Sequence, residues 1–412
     1  MTRGSPAGER TVKCVVWDID NTLLTGIYLE AGDQPPGADP VLTTVLAELG
    51  ERGILHALAS KNPPEAAAHT ARVTGWRFAA AECGWGRKSD ALARIAATLE
   101  IGVDALAFVD DDPFERAEVG FALPGVLVLS PEEAAEAPGW PEFSPPVITP
   151  EARRRAEMYA ERGRRQAAER SFGGTKEEFL ETVGTRVTIA AAAAADAPRL
   201  HELAARTRQF NSAAGQPPAA GGGPAAGMTQ DWFRGLLAAG DCDVATVRLR
   251  DAFGDDGLIG ACVVMREAGI WTVPLLMMSC RAMGRGVIDA LLAWLVRQAA
   301  RAGARRLRIP CVANSRNVPL RLALVAAGFR VPEAAGTAGQ GTAGQGTAGQ
   351  GTAGRGPEGG EAGGSEAGGG EAGGGNATSG QVPAVFERDV GTALPVLPGW
   401  VEAPGEQGGD AA

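Results

Sequence analysis

The sequence has little of what several large classes of protein require. It contains only three histidines in 412 residues, and its six cysteines form no close pairs. This composition disfavours a histidine-rich metal site, a zinc site and a disulfide framework. The formal net charge of −10 argues against general nucleic-acid binding, which needs a basic surface. No apolar run approaches a membrane span, and the run after residues 1–13 is too short for a signal peptide. We therefore expect a cytoplasmic protein with neither a nucleic-acid nor a membrane partner.

What the chain does have is an alternation of short apolar runs with segments of helical spacing. Apolar runs at 14–17, 54–59, 105–109 and 126–129, with a shorter one near 78, are typical of buried strands. Amphipathic segments separate them. Strands that alternate with helices predict an α/β fold with a parallel, doubly wound sheet. With 412 residues and 45% hydrophobic residues, two or three domains are expected.

The most informative stretch comes directly after the first of these strands, where Asp18 and Asp20 stand one residue apart. Residues i and i+2 of a strand share a side, and ligands of open α/β sheets bind beyond the carboxyl ends of the strands. Two carboxylates held together need a cation or a proton between them. The pattern therefore favours a phosphate or metal site, although two solvated acids at a strand end would look the same.

Three further polar clusters follow in order, two of them directly after a predicted strand. They are Ser60-Lys61-Asn62, Lys88, and the pair Asp110 and Asp111. Together with Asp18 and Asp20, their order and chemistry resemble the four motifs of the haloacid-dehalogenase superfamily. Taken alone, Lys88 would fit a surface lysine before a helix, so the order of the set carries the resemblance.

That resemblance implies a role for each residue. Asp18 would attack phosphorus, and Asp20 would protonate the leaving oxygen and then activate water. Lys88 would supply positive charge to the phosphoryl oxygens. The cluster Ser60, Lys61 and Asn62 would bind the substrate phosphate. Mg²⁺ would be held by Asp18, by the backbone carbonyl of Asp20, and by Asp110 or Asp111.

A second domain is predicted from the strand-like runs at 243–250, 258–265 and 271–278. The last run leads into a loop containing Arg281, Gly284, Arg285 and Gly286, and then into a helix over 287–301. Arg-x-x-Gly-x-Gly between a strand and a helix leaves backbone N–H groups bare for a pyrophosphate. The loop resembles the acyl-CoA loop of GNAT-type acetyltransferases, which implies CoA or a phosphopantetheine arm as ligand. A tight packing turn is the alternative.

Composition shifts give the domain boundaries. We predict a phosphotransferase domain over 1–137, a linker and charged helical segment over 138–180, and a GNAT-like domain over 181–333 and 381–403. The Gly-rich tract 334–380 cannot bury a core and is expected to be a disordered insert. The basic run at 153–165 is expected to be a solvated helix face, with an acidic partner as the alternative.

The combination resembles the FkbH-like family, in which a haloacid-dehalogenase domain is fused to a GNAT-like domain. The matching pieces include Trp17-Asp18-Ile19-Asp20-Asn21-Thr22, Ser60-Lys61-Asn62, Gly86-Arg87-Lys88 and Ser279-Cys280-Arg281. The resemblance implies polyketide biosynthesis. A glyceryl unit from 1,3-bisphosphoglycerate would be loaded onto an acyl carrier protein, en route to methoxymalonyl or hydroxymalonyl extender units.

One departure separates two hypotheses. Glyceryl-loading relatives often carry a cysteine between the two aspartates, whereas this chain has Ile19, which cannot attack a carbonyl. Either another thiol, such as Cys280, replaces it, or the protein is a plain phosphatase of a small or carrier-bound substrate, and its GNAT-like half only binds a partner. A non-enzymatic scaffold is the third hypothesis, and the complete set of acids, lysine and serine disfavours it.

Overall fold

The protein forms two β-sheets, one of five strands and one of seven. The computed structural model describes residues 11–32, 34–213, 227–314, 316–332, 384–391 and 394–404. The first sheet is wholly parallel and the second is mixed. The α/β class predicted from the sequence is therefore confirmed, with a parallel sheet in the first unit and a mixed sheet in the second. None of the described helices is both long and apolar enough to cross a bilayer.

The first unit alternates strands and helices as its sequence pattern predicts. Its elements are β1 (Cys14–Trp17), α1 (Pro40–Glu51), β2 (Leu55–Ser60), α2 (Pro64–Thr74), β3 (Ala80–Cys83), α3 (Lys88–Leu99), β4 (Leu106–Val109), α4 (Pro113–Ala122), β5 (Leu127–Leu129) and α5 (Pro131–Glu136). The strand order β3-β2-β1-β4-β5 puts β1 in the centre. Alternate residues of β1 enter separate apolar clusters, Trp17 on one face and Val16 on the other. Both faces of β1 are thus covered, which fixes the place where it ends.

The segment between the two sheets is helical and packs against both units. It contains α6 (Pro150–Arg153), α7 (Arg155–Ser171) and α8 (Lys176–Thr182). In α7, Arg162 pairs with Glu100 of the first unit, and Arg165 pairs with Asp251 of the second. Both arginines are buried. The expectation of a solvated basic face is therefore wrong for these two residues, because their acidic partners lie within the same chain.

The second unit is built around the seven-stranded sheet, in the order β11-β10-β9-β8-β7-β6-β12. The strands β9 and β10 run parallel but pair only over 270–272 and 306–308, so they separate toward their carboxyl ends. The elements are β6 (Arg186–Ala191), α9 (Ala197–Arg206), α10 (Gln230–Ala239), β7 (Asp243–Asp251), β8 (Gly254–Glu267), β9 (Ile270–Met278), α11 (Val287–Arg301), β10 (Arg306–Cys311), α12 (Val318–Ala326), β11 (Ala384–Asp389) and β12 (Val401–Glu402).

The Gly-rich tract 334–380, predicted to be a disordered insert, lies outside the described residues. The chain on its far side returns to the second sheet, where β11 pairs antiparallel with β10 at one edge. Near the carboxyl end of the described chain, β12 pairs with β6 at the other edge. The residues after the tract therefore complete both edges of the sheet that residues 186–311 began.

Candidate active site

The centre of the site is a buried lysine between two carboxylates. Lys88 Nζ donates to Asp18 Oδ1 at 2.6 Å and to Asp110 Oδ2 at 2.8 Å. Asp18 follows β1 and Asp110 follows β4, and these strands are neighbours in the sheet. Lys88 is the first residue of α3 and is only 4% exposed. Three positions that are far apart in the sequence thus meet at the carboxyl edge of the parallel sheet.

Burial and the crowding of charges perturb the acids of this centre. Burial, with a smaller contribution from the Asp110 carboxylate, raises the pKa of the Asp18 carboxyl to about 6, although Lys88 opposes the shift. Burial likewise raises the pKa of Asp110. The pKa of Lys88 is raised as well, because the attraction of the two carboxylates outweighs burial, which alone would lower it. The cluster is therefore short of positive charge at neutral pH, even with the lysine ionised.

Asp20 stands beside this centre and has partners of its own. Its Oδ1 accepts from the Tyr28 backbone N–H at 2.9 Å, and its Oδ2 accepts from Asn62 Nδ2 at 2.8 Å. Asn62 Nδ2 also donates to Ser60 Oγ at 3.0 Å. Asp20 is partly exposed, whereas Ser60 and Asn62 are buried. The structure therefore brings Ser60 and Asn62 to the acid predicted for proton transfer, and the backbone of Tyr28, which the sequence did not single out, helps to hold it.

Lys61 is turned away from its neighbours in the cluster. Its ammonium pairs with Glu115 near the start of α4, and 42% of its side chain is exposed. The pair lies at the rim, so Lys61 stays a predicted phosphate-binding residue without contact to the central acids.

Two residues that the sequence reasoning missed support the site from behind. Arg116 Nη1 donates to the carbonyls of Asp110 and Asp111, at 2.6 and 2.8 Å. Glu118 accepts from the backbone N–H of Ser89 at 3.1 Å, next to Lys88. Both belong to α4 and look like ordinary helix residues in the sequence. No spacing in the sequence could have indicated which loop they support.

The carboxylates fit a magnesium ion. Oxygen atoms of Asp18, Asp110 and Asp111 all lie within 4.8 Å of one another. Carboxylate oxygens are the ligands that Mg²⁺ prefers, and two of these acids are buried beside a single lysine. The Asp20 side chain is outside this set because Asn62 and Tyr28 hold it. Coordination of a metal by the Asp20 backbone carbonyl stays a prediction, and the Asp20 carboxyl group is left for the predicted proton transfer.

The four residues predicted to bind CoA do not form one surface. Gly284 and Gly286 adopt positive φ angles of 71° and 67° just before α11, as the loop requires. Arg285 is buried and forms ion pairs with Asp251 and Asp256. Arg281 points instead into a cavity between the two units. Ligand binding by this loop remains a prediction, and the present partners of Arg285 are carboxylates of the protein itself.

Solved structures similar to this chain fall into two groups. The first group includes the N-terminal part of a Bacteroides fragilis protein, described as containing a phosphatase domain complexed with Mg. It has 29% identity and a TM-score of 0.29, and the alignment covers 32% of this chain and 39% of that one. The same group includes 3-deoxy-D-manno-octulosonate 8-phosphate phosphatase from Moraxella catarrhalis. It has 21% identity and a TM-score of 0.23, and the alignment covers 28% of this chain and 64% of that one. The chain thus spans less than two thirds of either.

The other group consists of structures described as acetyltransferases. A protein from Desulfovibrio desulfuricans, described as an acetyltransferase of the GNAT family, has 14% identity and a TM-score of 0.30. Its alignment covers 50% of this chain and 99% of that one. No family model matches the chain. No curated protein matches it at the significance required.

Proposed function

We propose that this protein is a magnesium-dependent phosphohydrolase or phosphotransferase of the haloacid-dehalogenase type, with Asp18 as its nucleophile. The observation that carries the proposal is the buried lysine between Asp18 and Asp110 at the carboxyl edge of a parallel sheet. A structural ion pair needs only one carboxylate for one lysine, whereas Lys88 has two, with Asp111 close by as a third acid. Several carboxylates around one lysine are what a site for a phosphoryl group and a cation requires.

The chemistry assigned to the chain has two steps. An Asp18 oxygen attacks phosphorus, the bond from phosphorus to the leaving oxygen breaks, and Asp20 gives that oxygen a proton. Asp20 then takes a proton from water, which attacks the aspartyl phosphate and releases inorganic phosphate. Lys88 and the Ser60 hydroxyl bind the phosphoryl oxygens. Mg²⁺, held by Asp18, Asp110 and Asp111, would neutralise charge on these oxygens when bound.

The direct test is phosphate release from small phosphate monoesters and from an acyl phosphate, with and without Mg²⁺. We expect release to require the metal and to be abolished by Asp18→Asn, which keeps nearly the same shape and removes the nucleophile. Circular dichroism and melting temperature should show that the variant still folds. Near-wild-type turnover by folded Asp18→Asn protein would contradict the mechanism.

For the substrate, we infer glyceryl transfer of the FkbH-like kind. In this reaction, 1,3-bisphosphoglycerate would give its glyceryl unit to the phosphopantetheine arm of an acyl carrier protein in polyketide biosynthesis. The resemblance of the motifs supports this assignment, and so does a second unit whose strands β9 and β10 separate as a pantetheine site would need. Intact-mass measurement of a carrier protein incubated with the enzyme and 1,3-bisphosphoglycerate would reveal the added glyceryl unit.

A plain phosphatase is the second candidate, and one observation favours it. Ile19 stands where glyceryl-loading relatives carry cysteine, and it is completely buried in the apolar cluster beside β1. No acyl group can form a thioester there. If the carrier protein stays unmodified while phosphate is still released at an Asp18-dependent rate, the plain phosphatase is the correct function.

A further inference from the structure

A cavity of about 630 Å³ lies between the two units, and its lining is strongly cationic. Seven lysine and arginine side chains face it, against three carboxylates. The whole protein carries a net charge of −10, so this concentration of positive charge is local. A cavity of this size is in the range of small-molecule sites, which are commonly found between domains.

Three of these cations have no carboxylate partner within ion-pair distance in the part of the chain that the structure describes. They are Lys13, Arg206 and Arg281. Lys13 Nζ donates to the carbonyl of Arg206 at 2.6 Å, and Arg206 Nη2 makes only a long 3.5 Å contact with a backbone carbonyl. The Nε of Arg206 is buried without a hydrogen-bond partner. Arg281 is buried, and Lys13 and Arg206 are half-buried. A cation withdrawn from water without a counter-ion is costly, so three together indicate that an anion is missing.

Arg281 is the clearest case. It is 5% exposed, and its guanidinium contacts only Ser279 Oγ, at 3.4 Å, and the Met158 sulfur. Neither is an acid. Arg285, four residues later on the same loop, is buried to the same degree but has two aspartate partners. Among the described residues, the fold therefore places carboxylates within ion-pair distance of Arg285 but none within that distance of Arg281.

The neighbouring charges do not compensate. Glu202 is the one buried carboxylate at this wall, and it already pairs with both Arg155 and Arg199. The pKa of Lys13 is lowered to about 8, first by burial and then by the charges of Arg206 and other arginines. A group that loses its proton more easily in this way lies in a positive field that an anion would relieve.

The cavity is separate from the candidate active site. Lys13 precedes β1 and Asp18 follows it, so they lie at opposite edges of the sheet. Five residues of extended chain span roughly 16 Å. A ligand in the cavity therefore cannot also be a substrate of Asp18 without leaving and binding again.

We propose that this cavity is a second ligand site, which binds the phosphate group of a small molecule or of a pantetheine arm through Lys13, Arg206 and Arg281, beside the thiol of Cys280. Cys280 is the neighbour of Arg281 and also lines the cavity, only partly buried. Guanidinium groups bind phosphate through paired, charge-assisted hydrogen bonds, which suits a cluster of unpaired arginines. The proposal does not rest on phosphohydrolase activity at Asp18.

Titration calorimetry in the presence of EDTA tests the proposal with three probes: inorganic phosphate, 3-phosphoglycerate and CoA, each at matched ionic strength. We expect binding by wild type and by Asp18→Asn with equal affinity. Arg206→Gln and Arg281→Gln should each weaken binding about ten- to hundredfold. Arg234→Gln is the control, because Arg234 is exposed on the second unit and pairs with Asp231. Tight binding of 3-phosphoglycerate would indicate that the ligand is a free metabolite. Tight binding of CoA alone would indicate a ligand that carries a nucleotide or a pantetheine arm.

Two further measurements keep the test decisive if Arg281→Gln does not fold. Without ligand, Arg206→Gln should melt no lower than wild type, because it removes a repelling charge. With ligand, alkylation of Cys280, followed by peptide mass spectrometry, should slow in wild type. Binding unaffected by Arg206→Gln, binding lost in Asp18→Asn, or no binding of any probe would overturn the proposal. A large loss of melting temperature in ligand-free Arg206→Gln would also overturn it, because Arg206 would then be a satisfied structural residue.

Discussion

Lys88 Nζ lies 2.6 Å from Asp18 Oδ1, although 70 positions separate the two residues in the chain. The ammonium is also held by Asp110, and the ring of Phe108 lies 5.6 Å from it, so it is shielded from water on one side. Breaking a buried ion pair by removing one partner is strongly destabilising, because a charge is left without compensation. In the proposed mechanism Lys88 would serve both stability and catalysis, and adding a cation should separate the two roles.

The first prediction is that Lys88→Met lowers both activity and stability, and that Mg²⁺ restores only the stability. Two buried carboxylates lose their neutralising charge, which we expect to cost about 3–5 kcal/mol of folding free energy in EDTA. A divalent cation held by the same acids should recover much of that loss. Phosphate release should stay at least about a hundredfold below wild type, because the charge on the phosphoryl oxygens is absent. Melting curves with EDTA and with Mg²⁺ measure the first effect. Equal destabilisation under both conditions would contradict a shared metal site.

The second prediction separates Asn62 from Lys61. Asn62 holds Asp20 Oδ2 at 2.8 Å, whereas Lys61 pairs with Glu115 at the rim. Asn62→Leu removes a bond that orients the acid, so kcat should fall about tenfold to a hundredfold. Lys61→Met breaks a pair in which only Lys61 is exposed, because Glu115 is buried. We expect a cost of about 1–3 kcal/mol in stability from the carboxylate left without its partner, with the main kinetic effect on KM. Steady-state kinetics of both variants provides the comparison. A larger kcat loss from Lys61→Met would place Lys61 at the reacting phosphate instead.

The sequence predicted the parallel sheet and its carboxyl-edge cluster because both depend on local pattern. A buried strand such as β1 is a run of apolar residues, and the chain that follows it puts Asp18 at the carboxyl edge of the sheet. The separation of Lys61 from Ser60 and Asn62 was not predictable, since consecutive residues in a loop can point in any direction. The burial of Arg162 and Arg165 was not predictable either, because the acids that receive them, Glu100 and Asp251, come from different units. Contacts between separate units follow no periodic pattern in the sequence that could reveal them.

The third prediction concerns pH. Burial alone would raise the pKa of Glu202, but Arg199, Arg155 and Thr149 outweigh it and lower the pKa to about 2. A carboxyl group whose pKa is lowered in the folded state stabilises that state above its unfolded pKa of about 4.5. This contribution is lost as the pH falls from about 4.5 to 2. It amounts to about 3 kcal/mol, since each pKa unit is worth about 1.36 kcal/mol.

Urea unfolding between pH 2 and pH 7 measures this contribution. Glu202→Gln should be less stable than wild type at pH 7 and should lose less stability on acidification, so the two curves converge near pH 2. Glu177→Gln is the control, because Glu177 lies on the exposed side of α8. Parallel curves for wild type and Glu202→Gln would mean that Glu202 is not the acid that these arginines hold.

The last prediction tests the loop before α11. Gly286 has a φ of 67°, and a Cβ built there would lie 3.2 Å from the Trp400 ring. Gly303 has a similar φ of 73° but no atom within 4 Å of such a Cβ. Gly303→Ala should therefore cost only the backbone strain, roughly 1–2 kcal/mol, while Gly286→Ala should cost this and the displacement of Trp400. Combining Gly286→Ala with Trp400→Ala separates the two terms. If the excess cost over Gly303→Ala comes from the ring, the alanine at 286 should cost no more than the backbone strain once the ring is gone.

CoA titration into the same variants then tests the loop as a ligand site. Lower CoA affinity in Gly286→Ala and in the double variant, with Gly303→Ala unchanged, would support it. Equal CoA affinity in all of them would reduce Gly284 and Gly286 to residues that let the chain turn into α11.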